Sequence, residues 1–512
     1  MAITRIERGR WCLAIWLAGA HWASTANAQT WRIEPSAIAR TTATSNSGFA
    51  DSNDLGGDVV LTLTPRLTLT GRGVRYKIDG SVEADSSTYL RNTRSNEFIP
   101  KLQLAGNATA VDRWLYLDAA VQLEQLAANP FSAVSSGSLP ATRREAKQYR
   151  LSPYLDHAFT PSTSLLYRND NVWSRDSTNE TASTVRSGSD LRSHSLALTQ
   201  RPLPFGYALE AKQEEAKFTG NASSRVELAS ARGVLSYAVD PTLVLGAVVG
   251  TERNEIAAST SRDSIRGVRV GWRPTERTDL DASAERRFFN NGWNMTLTHR
   301  SPFFAMNLNL SKQAAAQPSA IVLANTGGDL RSLVDAAYAT RFPNPVERAT
   351  IVDSVIASLG ATAGTTGPIA VFSDYAQLQR RAALSVSFLN PLSALTFQLF
   401  SIESLQLQRP DAPAQPLQPV NSDNAQFGGS IALNRRLTPT LSIEAALGGV
   451  KIEGRGTSQG QASSTKTLNL SASQVMTLKT RLIAGARRQL VNSNEVRPAQ
   501  ETAAFLALEH RF

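Results

Sequence analysis

The stretch Leu61-Thr62-Leu63-Thr64-Pro65-Arg66-Leu67-Thr68-Leu69-Thr70 keeps its apolar side chains at odd positions and its polar ones at even positions. Successive side chains on a β-strand point to opposite faces, so this stretch has one apolar and one polar face. The same period of two recurs along the chain, at residues 115–124, 268–273, 279–285, 306–310 and 441–447. The sequence therefore predicts an all-β protein built of amphipathic strands.

The length of these stretches separates a membrane barrel from a soluble sandwich. Sandwich strands run to about five or six residues. Here many alternating stretches last about ten residues or more, which is the length that a tilted strand needs to cross a bilayer. The longest later apolar run, near residues 243–250, is shorter than the ~20 residues of a membrane helix. We therefore predict an antiparallel transmembrane β-barrel.

The turns between the stretches are of two kinds. One set is short and often contains proline, at 64–65, 160–161, 202–204, 240–241, 274–277, 301–302, 390–391 and 438–439. The other set is long and polar, at 41–54, 85–96, 129–145, 176–190, 409–423 and 454–464. Outer-membrane barrels have short periplasmic turns and long external loops, so we expect the short set to face the periplasm.

Pairing strands around the short turns predicts about 22 strands, within a range of 18–22. An even number places both termini in the periplasm. The predicted strands are 31–42, 55–64, 66–84, 97–109, 112–127, 144–159, 162–175, 190–202, 204–219, 225–239, 242–256, 262–273, 277–289, 292–301, 303–314, 371–390, 392–408, 422–437, 440–454, 463–478, 480–490 and 501–512. Asn290-Asn291-Gly292 is a tight hairpin signal between two of them.

Aromatic side chains gather beside the short turns, where a periplasmic-side girdle would lie. They are Phe159, Phe205, Tyr237, Trp272, Phe303, Phe304 and Phe388. The last predicted strand ends in Phe512, with Leu506 and Leu508 on the same face. A terminal aromatic residue on an amphipathic strand resembles the signal that the barrel-assembly machinery reads. His510 departs from that signal, because an apolar or aromatic residue is usual there.

Residues 1–28 have the pattern of a signal peptide. Three arginines precede a short apolar stretch at 12–20, and Ala26-Asn27-Ala28 forms a small-x-small cleavage site. Cleavage would lower the formal net charge from +10 to +8 and remove Cys12, the only cysteine. No thiol would then remain for a disulfide, a redox site or a cysteine-ligated metal. The positive charge forms no basic run, so we do not expect a nucleic-acid partner.

Residues 315–370 break the period of two. Their apolar side chains follow helical spacing on two predicted helices within 326–360, one ending near Arg341 and the second beginning near Asn344-Pro345. Apolar helix faces need a partner, so a plug or constriction of the lumen is favoured over an exposed loop. The predicted buried faces carry Leu330, Leu333, Val334, Tyr338, Ile351, Val355 and Ile356.

The same region carries a family resemblance. Its residues are Asp329-Leu330 through Tyr338, Arg341-Phe342-Pro343-Asn344-Pro345 with Arg348, Phe372-Ser373-Asp374 with Gln379-Arg380, and Leu395-Thr396-Phe397 with Phe400. They resemble an uncharacterised family of outer-membrane barrels associated with the PEP-CTERM/exosortase protein-sorting system, from bacteria that also make exopolysaccharide. The resemblance covers the mature chain and is most specific over 329–403. It implies a setting near exopolysaccharide export components and no established reaction.

The residues predict no catalytic site, metal site or cofactor. Motifs of zinc proteases, serine hydrolases and phosphate-binding loops are missing from the sequence. Asp156 and His157 are neighbours on one strand and so face opposite sides. Asp51, Asn53 and Asp54 lack the rest of a calcium loop. The mixed-sign polar face is expected to line a lumen, through Arg168, Asp170, Arg269, Arg273, Asp279, Asp281 and Glu285.

We therefore expect a Gram-negative outer-membrane barrel spanning 29–512, in contact with membrane lipid and lipopolysaccharide. More than about sixteen strands leave a lumen too wide for side chains to fill, which favours a pore. The expected function is passage or secretion of a polar polymer such as exopolysaccharide, directly or as an accessory protein. The alternative is a non-conducting structural or docking barrel for surface polymer or sorted proteins. A barrel hydrolase ranks third.

Overall fold

The computed structural model describes residues 30–47, 56–127, 131, 143–178, 187–219, 224–256, 259–316, 376–407, 423–494 and 498–512. The described residues form one sheet of 22 strands. The predicted signal peptide, the two predicted helices of 326–360, and Asp51, Asn53 and Asp54 lie outside this range. No helix in the described part of the chain is long and apolar enough to cross a membrane.

The 22 strands have 10 to 17 residues each. They are β1 Thr30–Thr44, β2 Asp58–Arg72, β3 Tyr76–Tyr89, β4 Glu97–Val111, β5 Leu115–Ala127, β6 Arg143–Ala158, β7 Thr163–Thr178, β8 Ser187–Gln200, β9 Phe205–Thr219, β10 Ser224–Ala238, β11 Leu243–Ile256, β12 Ser259–Thr275, β13 Thr278–Arg287, β14 Asn290–Ser301, β15 Phe304–Ala315, β16 Gln377–Asn390, β17 Ser393–Gln406, β18 Asn424–Arg436, β19 Leu441–Gly454, β20 Ala462–Val475, β21 Thr480–Ser493 and β22 Ala499–Arg511.

Each strand pairs antiparallel with the next one in the chain, and the last pairs with the first. The closing contact between β1 and β22 runs from Ser36 opposite Arg511 to Thr44 opposite Ala503. Closure leaves no unpaired sheet edge, which is the condition for a β-structure to span a membrane. The prediction of a 22-stranded antiparallel barrel is confirmed.

The two ends of the barrel differ in their connections. At one end, which we call the short-turn end, ten turns of two to four residues join the strands, at 73–75, 112–114, 159–162, 201–204, 239–242, 276–277, 302–303, 391–392, 437–440 and 476–479. The opposite end, the long-loop end, carries the other eleven connections, which range from two residues at 257–258 and 288–289 to the longest at 45–57, 128–142, 316–376 and 407–423. β1 starts and β22 finishes at the short-turn end.

The outer face of the barrel is apolar in a band that begins at the short-turn end. On β11, Leu245 and Val249 point outward and are exposed, whereas Val248 between them is buried on the inner face. The girdle aromatics lie at the edge of this band, with Phe205 packed against Tyr237 and Phe304 against Phe388. An outward apolar band bordered by aromatic rings is the surface pattern of an outer-membrane barrel.

Two predicted turns are wrong in position. The Thr64-Pro65 turn does not form, because β2 continues through it to Arg72. Pro65 lacks an N–H, and it interrupts only the ladder to β3, where Leu63 and Arg66 are paired and the two residues between are not. The ladder to β1 runs through Pro65 without a gap.

The second turn is displaced by two residues. The hairpin between β13 and β14 turns at Phe288-Phe289, and Asn290 already pairs with Arg287. Asn290 has a φ of 74°, a left-handed conformation that asparagine tolerates better than most residues. The asparagine therefore closes the turn, whereas the Asn291-Gly292 step belongs to the strand.

Candidate functional site

The inner wall of the barrel has two chemically different parts. Ion pairs concentrate on the inward side chains of β2–β13, which we call the charged arc. The inward positions of β14–β20 are mainly amides and hydroxyls, and we call them the neutral arc. Both arcs follow from the period of two, because the same strands turn their apolar side chains to the membrane.

A first network of the charged arc joins β5, β6 and β7. Arg168 donates to Asp118 at 2.8 Å and to Asp170 at 2.9 Å. Arg150 adds a second contact to Asp170 at 3.1 Å. The Arg168 guanidinium also lies 5.0 Å from the centre of the Tyr154 ring. The structure thus brings together Arg168 and Asp170, two of the sequence-predicted lumen residues, on the inner face.

A second network crosses four strands. Arg232 of β10 contacts Glu210 of β9 at 2.9 Å and Glu285 of β13 at 2.9 Å. Arg287 contacts Glu285 at 3.4 Å and Glu252 of β11 at 2.8 Å. The Glu252 side chain is fully buried, so its charge depends on Arg287 for compensation. These cations and carboxylates alternate in space and compensate one another's charge.

The end of this network closes the β13–β14 turn. The backbone N–H of Phe288 donates to Glu252 at 2.6 Å. A cavity of about 180 Å³ lies beside the network, with Lys212, Asn294 and Phe289 in its lining. The charged arc therefore holds its polar groups in a pre-formed scaffold with few contacts left to offer a cargo.

The remaining predicted lumen residues also point inward. Arg269 joins the second network through Glu210 at 3.2 Å. Arg273 pairs with Asp279 at 2.8 Å near the short-turn end, where both side chains are exposed. Asp281 lies on the same face of β13 and is exposed. Sequence reasoning missed Glu210, Arg232, Glu252 and Arg287, which carry the same inward parity as residues it found.

The neutral arc is built from cross-strand pairs of uncharged polar groups. Asn307 and Asn309 of β15 lie opposite Thr298 and Thr296 of β14. Each asparagine donates one amide N–H to its threonine, at 3.4 and 3.3 Å. An amide has two donors and an acceptor, so each asparagine keeps further hydrogen-bonding capacity toward the lumen.

Arg381 of β16 is one of the few charged side chains on the neutral arc, with Glu444 of β19 another. Arg381 points inward between Ala383 and Gln379 and is half-buried. Its Nη2 atom is buried and has no hydrogen-bond partner within the described part of the chain. A guanidinium that is taken out of water without a counter-charge is costly, so this group is available to an anion from outside the chain.

The Asp156–His157 pair does not form a dyad. His157 points outward, where its ring stacks on Trp114 with centroids 3.6 Å apart and its Nδ1 lies 3.1 Å from the carbonyl oxygen of Arg113. Asp156 points inward from the same strand. Within the described ranges, no group of three or more metal-ligating side chains is assembled.

The chain end lies against the first strand. The backbone N–H of Phe512 donates to the carbonyl oxygen of Pro35 at 3.0 Å. Leu506, Leu508 and the Phe512 ring face outward and are exposed. His510 lies on the same face and its Nδ1 is 2.9 Å from the Thr480 hydroxyl. The predicted assembly residues therefore share one outward stripe at the closing seam.

A buried carboxyl marks the long-loop end of the neutral arc. Asp423 precedes β18, and burial raises the pKa of its carboxyl to about 6. The backbone N–H of Gln406 donates to this carboxyl at 2.7 Å, which offsets part of the effect. The Arg455 backbone N–H donates to the main-chain oxygen of Asp423 at 2.9 Å. Asp423 thereby ties together three loop ends, and no cation of the described residues forms an ion pair with it.

No known protein family matches the chain, and no curated protein matches its sequence. Solved structures match its fold at low identity. The FrpB iron transporter of Neisseria meningitidis aligns in its F5-1 variant with a TM-score of 0.51, 9% identity and coverage of 94% of this chain and 82% of that chain. Its F3-3 variant aligns with a TM-score of 0.52 and 9% identity, covering 94% of this chain and 81% of that chain. The siderophore receptor PiuA of Acinetobacter baumannii aligns with a TM-score of 0.49 and 8% identity, covering 96% of this chain and 82% of that chain.

At such identities the likeness concerns the fold. The two FrpB structures with TM-scores above 0.5 agree with the predicted fold, a closed antiparallel outer-membrane-type β-barrel. The chain thus has the architecture of outer-membrane barrel proteins, with a closed wall, an apolar outer band and a polar lumen.

Proposed function

We propose that this barrel passes a hydroxyl-rich polar polymer or solute across the outer membrane, as a pore or an accessory of a secretion route. The observation that carries the proposal is the neutral arc, an inner surface along β14–β20 in which amides and hydroxyls predominate. The long-loop end faces the outside in this proposal, as the distribution of connections favours.

The chemistry of the neutral arc suits a moving, hydroxyl-rich chain. Hydroxyl groups donate and accept hydrogen bonds, and amides do both as well. Such contacts can be exchanged one for another as a polymer advances. Conduction requires binding that is favourable enough for entry and weak enough for release. A surface of neutral hydrogen-bonding groups meets this requirement better than fixed charges would.

The Nη2 atom of Arg381, which has no hydrogen-bond partner among the described residues, adds one preference. Arginine binds carboxylate and phosphate groups through parallel N–H donors. A polymer that carries occasional acidic groups would meet Arg381 while its hydroxyls meet the surrounding amides. An acidic polysaccharide has this chemistry, and the resemblance to exopolysaccharide-linked barrels favours the same class.

We also propose that the 315–370 insert restricts the lumen. Inward side chains near the long-loop end are almost fully buried, which an open, water-filled lumen would not produce. They include Gln377, Ile402, Gln426, Ile452 and Gln489, each no more than 2% exposed. Large natural barrels close their lumen in a comparable way, because an open one would breach the permeability barrier.

Deletion of the gene tests the proposed cargo. The expected result is loss of surface polymer with unchanged uptake of small solutes. Unchanged surface polymer in the deletion strain would refute polymer passage. A sealed barrel that is still required for retention of surface polymer would establish the docking function instead.

Epitope accessibility tests the proposed orientation. Tags inserted at 135–138 or 412–416 should be reached by antibody on intact cells, and a tag beside Asp240 should be reached only after permeabilisation. The reverse pattern would show that the short-turn end faces outward.

A further inference from the structure

Cations on the outer face lie near the long-loop end, above the apolar band, and many have a carboxylate beside them. Lys147 pairs with Glu145 at 2.6 Å, Lys217 with Glu215 at 3.3 Å, Arg380 with Glu403 at 3.0 Å, and Lys451 with Glu453 at 2.6 Å. In each pair both side chains point away from the lumen, as the strand parity requires. These cations are neutralised within the protein.

Four arginines on β11, β12 and β13 break this pattern. Arg253, Arg262, Arg266 and Arg286 share the outward parity of Val249, Val268 and their neighbours, and all four are exposed. Among the described residues, no carboxylate forms an ion pair with any of them. Glu255, two residues beyond Arg253 on the same face, is also outside ion-pair distance.

The register makes the arrangement unfavourable for the protein alone. Arg253 lies directly opposite Arg262, and Arg266 lies directly opposite Arg286. Like charges directly opposite on neighbouring strands destabilise a sheet. Two such pairs within three adjacent strands require a compensating anion. At the edge of the apolar band, the insertion cost of an arginine is small, so the position itself is tolerated.

An open groove on the membrane face leads to this cluster. It has a volume of about 450 Å³ and crosses β7–β12. Small side chains form its floor, and the groove reaches two of the four arginines. The outward residues lining it include Leu196, Ala211, Ala231, Thr251, Arg253 and Arg262. The groove is continuous with the apolar band, so it is filled by the hydrocarbon of the membrane.

We propose that Arg253, Arg262, Arg266 and Arg286, the arginine cluster, bind the phosphate groups of an outer-leaflet phosphoglycolipid of the lipopolysaccharide type. One of its acyl chains lies in the groove. Guanidinium groups match phosphate oxygens through paired N–H donors, and basic clusters at a membrane surface recognise anionic headgroups. A ligand with two phosphates would neutralise both arginine pairs at once.

A second copy of this chain fits the surface less well. A two-fold contact would bring the same patch against itself, and the cluster would then face another cluster of equal charge. A phosphoglycolipid supplies both the anion and the hydrocarbon that the patch lacks. The inference rests on the proposed placement of the long-loop end at the outer leaflet and does not depend on the cargo.

Lipid binding by the purified barrel in detergent micelles tests the proposal. The probe is bisphosphorylated lipid A, and retained lipid is counted by native mass spectrometry. The variant R253Q/R262Q/R266Q/R286Q should lose lipid A binding by roughly tenfold or more, because the phosphate contacts are removed. Folding of each variant is checked by heat-modifiable mobility. If the fourfold variant does not fold, the double variant R262Q/R266Q replaces it in the binding assay.

The matched control removes four paired cations from the same outer face. The variant K147Q/K217Q/R380Q/K451Q changes the net charge by the same amount and should bind lipid A within about twofold of the unaltered barrel, since those cations are already neutralised. Dephosphorylated lipid A should bind weakly to the unaltered barrel. Inorganic phosphate at equal concentration should not displace lipid A.

Several outcomes would overturn the proposal. One is lipid A binding in the cluster variant that equals that of the unaltered barrel. Another is a loss of lipid A binding in the control variant as large as in the cluster variant. The third is displacement of lipid A by inorganic phosphate. Dimerisation that the cluster variant abolishes, with lipid A binding unchanged, would assign the surface to a second copy. Because this assay measures lipid on purified protein, its failure is distinguishable from failure of polymer passage or of the orientation test in cells.

Discussion

The charged arc and the neutral arc line the same lumen, but they hold their polar groups in opposite states. In the charged arc, Arg232 and Arg287 are each shared between two carboxylates, so their charges are compensated inside the wall. In the neutral arc, Asn307 and Asn309 each donate one amide N–H to a threonine hydroxyl, and the second N–H and the amide oxygen can still form hydrogen bonds. One arc is therefore built for rigidity and the other for contact with a passing molecule.

The difference follows from the energetics of burial. A buried charge requires a partner, so charged side chains in a crowded wall organise into networks. A neutral amide tolerates partial satisfaction at lower cost and can exchange partners. We therefore expect substitutions in the charged arc to change stability most, and substitutions in the neutral arc to change passage most.

The largest expected effect is on stability, in the charged arc. Arg287→Ala leaves the fully buried carboxylate of Glu252 without its cation. We expect the free energy of unfolding to fall by about 3 kcal/mol, the lower end of the range for breaking a buried pair. Urea unfolding of the refolded barrel, followed by tryptophan fluorescence, measures the change.

The double variant Glu252→Gln with Arg287→Gln is the control for this effect. It removes both charges, so it should be less destabilising than Arg287→Ala. A loss below about 0.5 kcal/mol for Arg287→Ala would contradict the scaffold role of the charged arc.

The next effect concerns a buried carboxyl that has no cation. Burial raises the pKa of Asp423 from 3.8 to about 6, so its contribution to stability is present below pH 3.8 and is lost as the pH rises through 6. Between pH 4 and pH 7 we expect the barrel to lose about 1–2 kcal/mol relative to the variant Asp423→Asn. Parallel pH dependence of the two proteins in urea unfolding would contradict the raised pKa.

Substitutions in the neutral arc should act on passage. Asn307→Leu with Asn309→Leu removes two adjacent hydrogen-bonding positions from one strand of the wall. We expect surface polymer in a complemented deletion strain to fall by about tenfold, with the unfolding midpoint little changed. The matched control, Thr68→Leu with Thr70→Leu, alters two inward positions on β2 and should leave surface polymer within about twofold. Equal losses in both variants would contradict the division of roles.

The smallest expected effect is at Arg381. Arg381→Gln removes the cation whose Nη2 atom lacks a partner, and should lower surface polymer by about threefold. Arg381→Lys keeps the charge and should restore most of the loss, whereas a purely structural role would not respond to the charge. Full export by Arg381→Gln would show that the cargo presents no anionic group here.

The period of two predicted most of the fold, because the membrane imposes it on every strand. It placed strands as distant as β1 and β22 within a few residues of their observed bounds. It failed at Pro65, where it predicted a turn. The proline interrupts the hydrogen-bond ladder between β2 and β3, but β2 continues because its ladder to β1 runs through Pro65. The same prediction shifted the β13–β14 turn, because Asn290 adopts a positive φ at the end of the turn rather than in its centre.

The functional surfaces were harder to predict, since they depend on contacts between strands that are not adjacent. The Arg232–Glu285 contact joins β10 to β13 across the curved inner wall, and no sequence spacing reveals it. The outward arginine cluster carried a visible signal, because Arg262 and Arg266 share the parity of Val268 and Val270. That these arginines lack a counter-charge could be seen only from the strand register, which places no carboxylate directly opposite any of the four.

Single-channel conductance in a planar bilayer tests whether the lumen is a passage that the 315–370 insert restricts. The refolded full chain is compared with a variant in which a short linker replaces residues 316–367. We predict small or rare current steps for the full chain and large, stable steps for the folded deletion variant, since a wall of 22 strands encloses more space than its side chains fill. No current through either folded protein would contradict the account and would leave a structural or docking barrel.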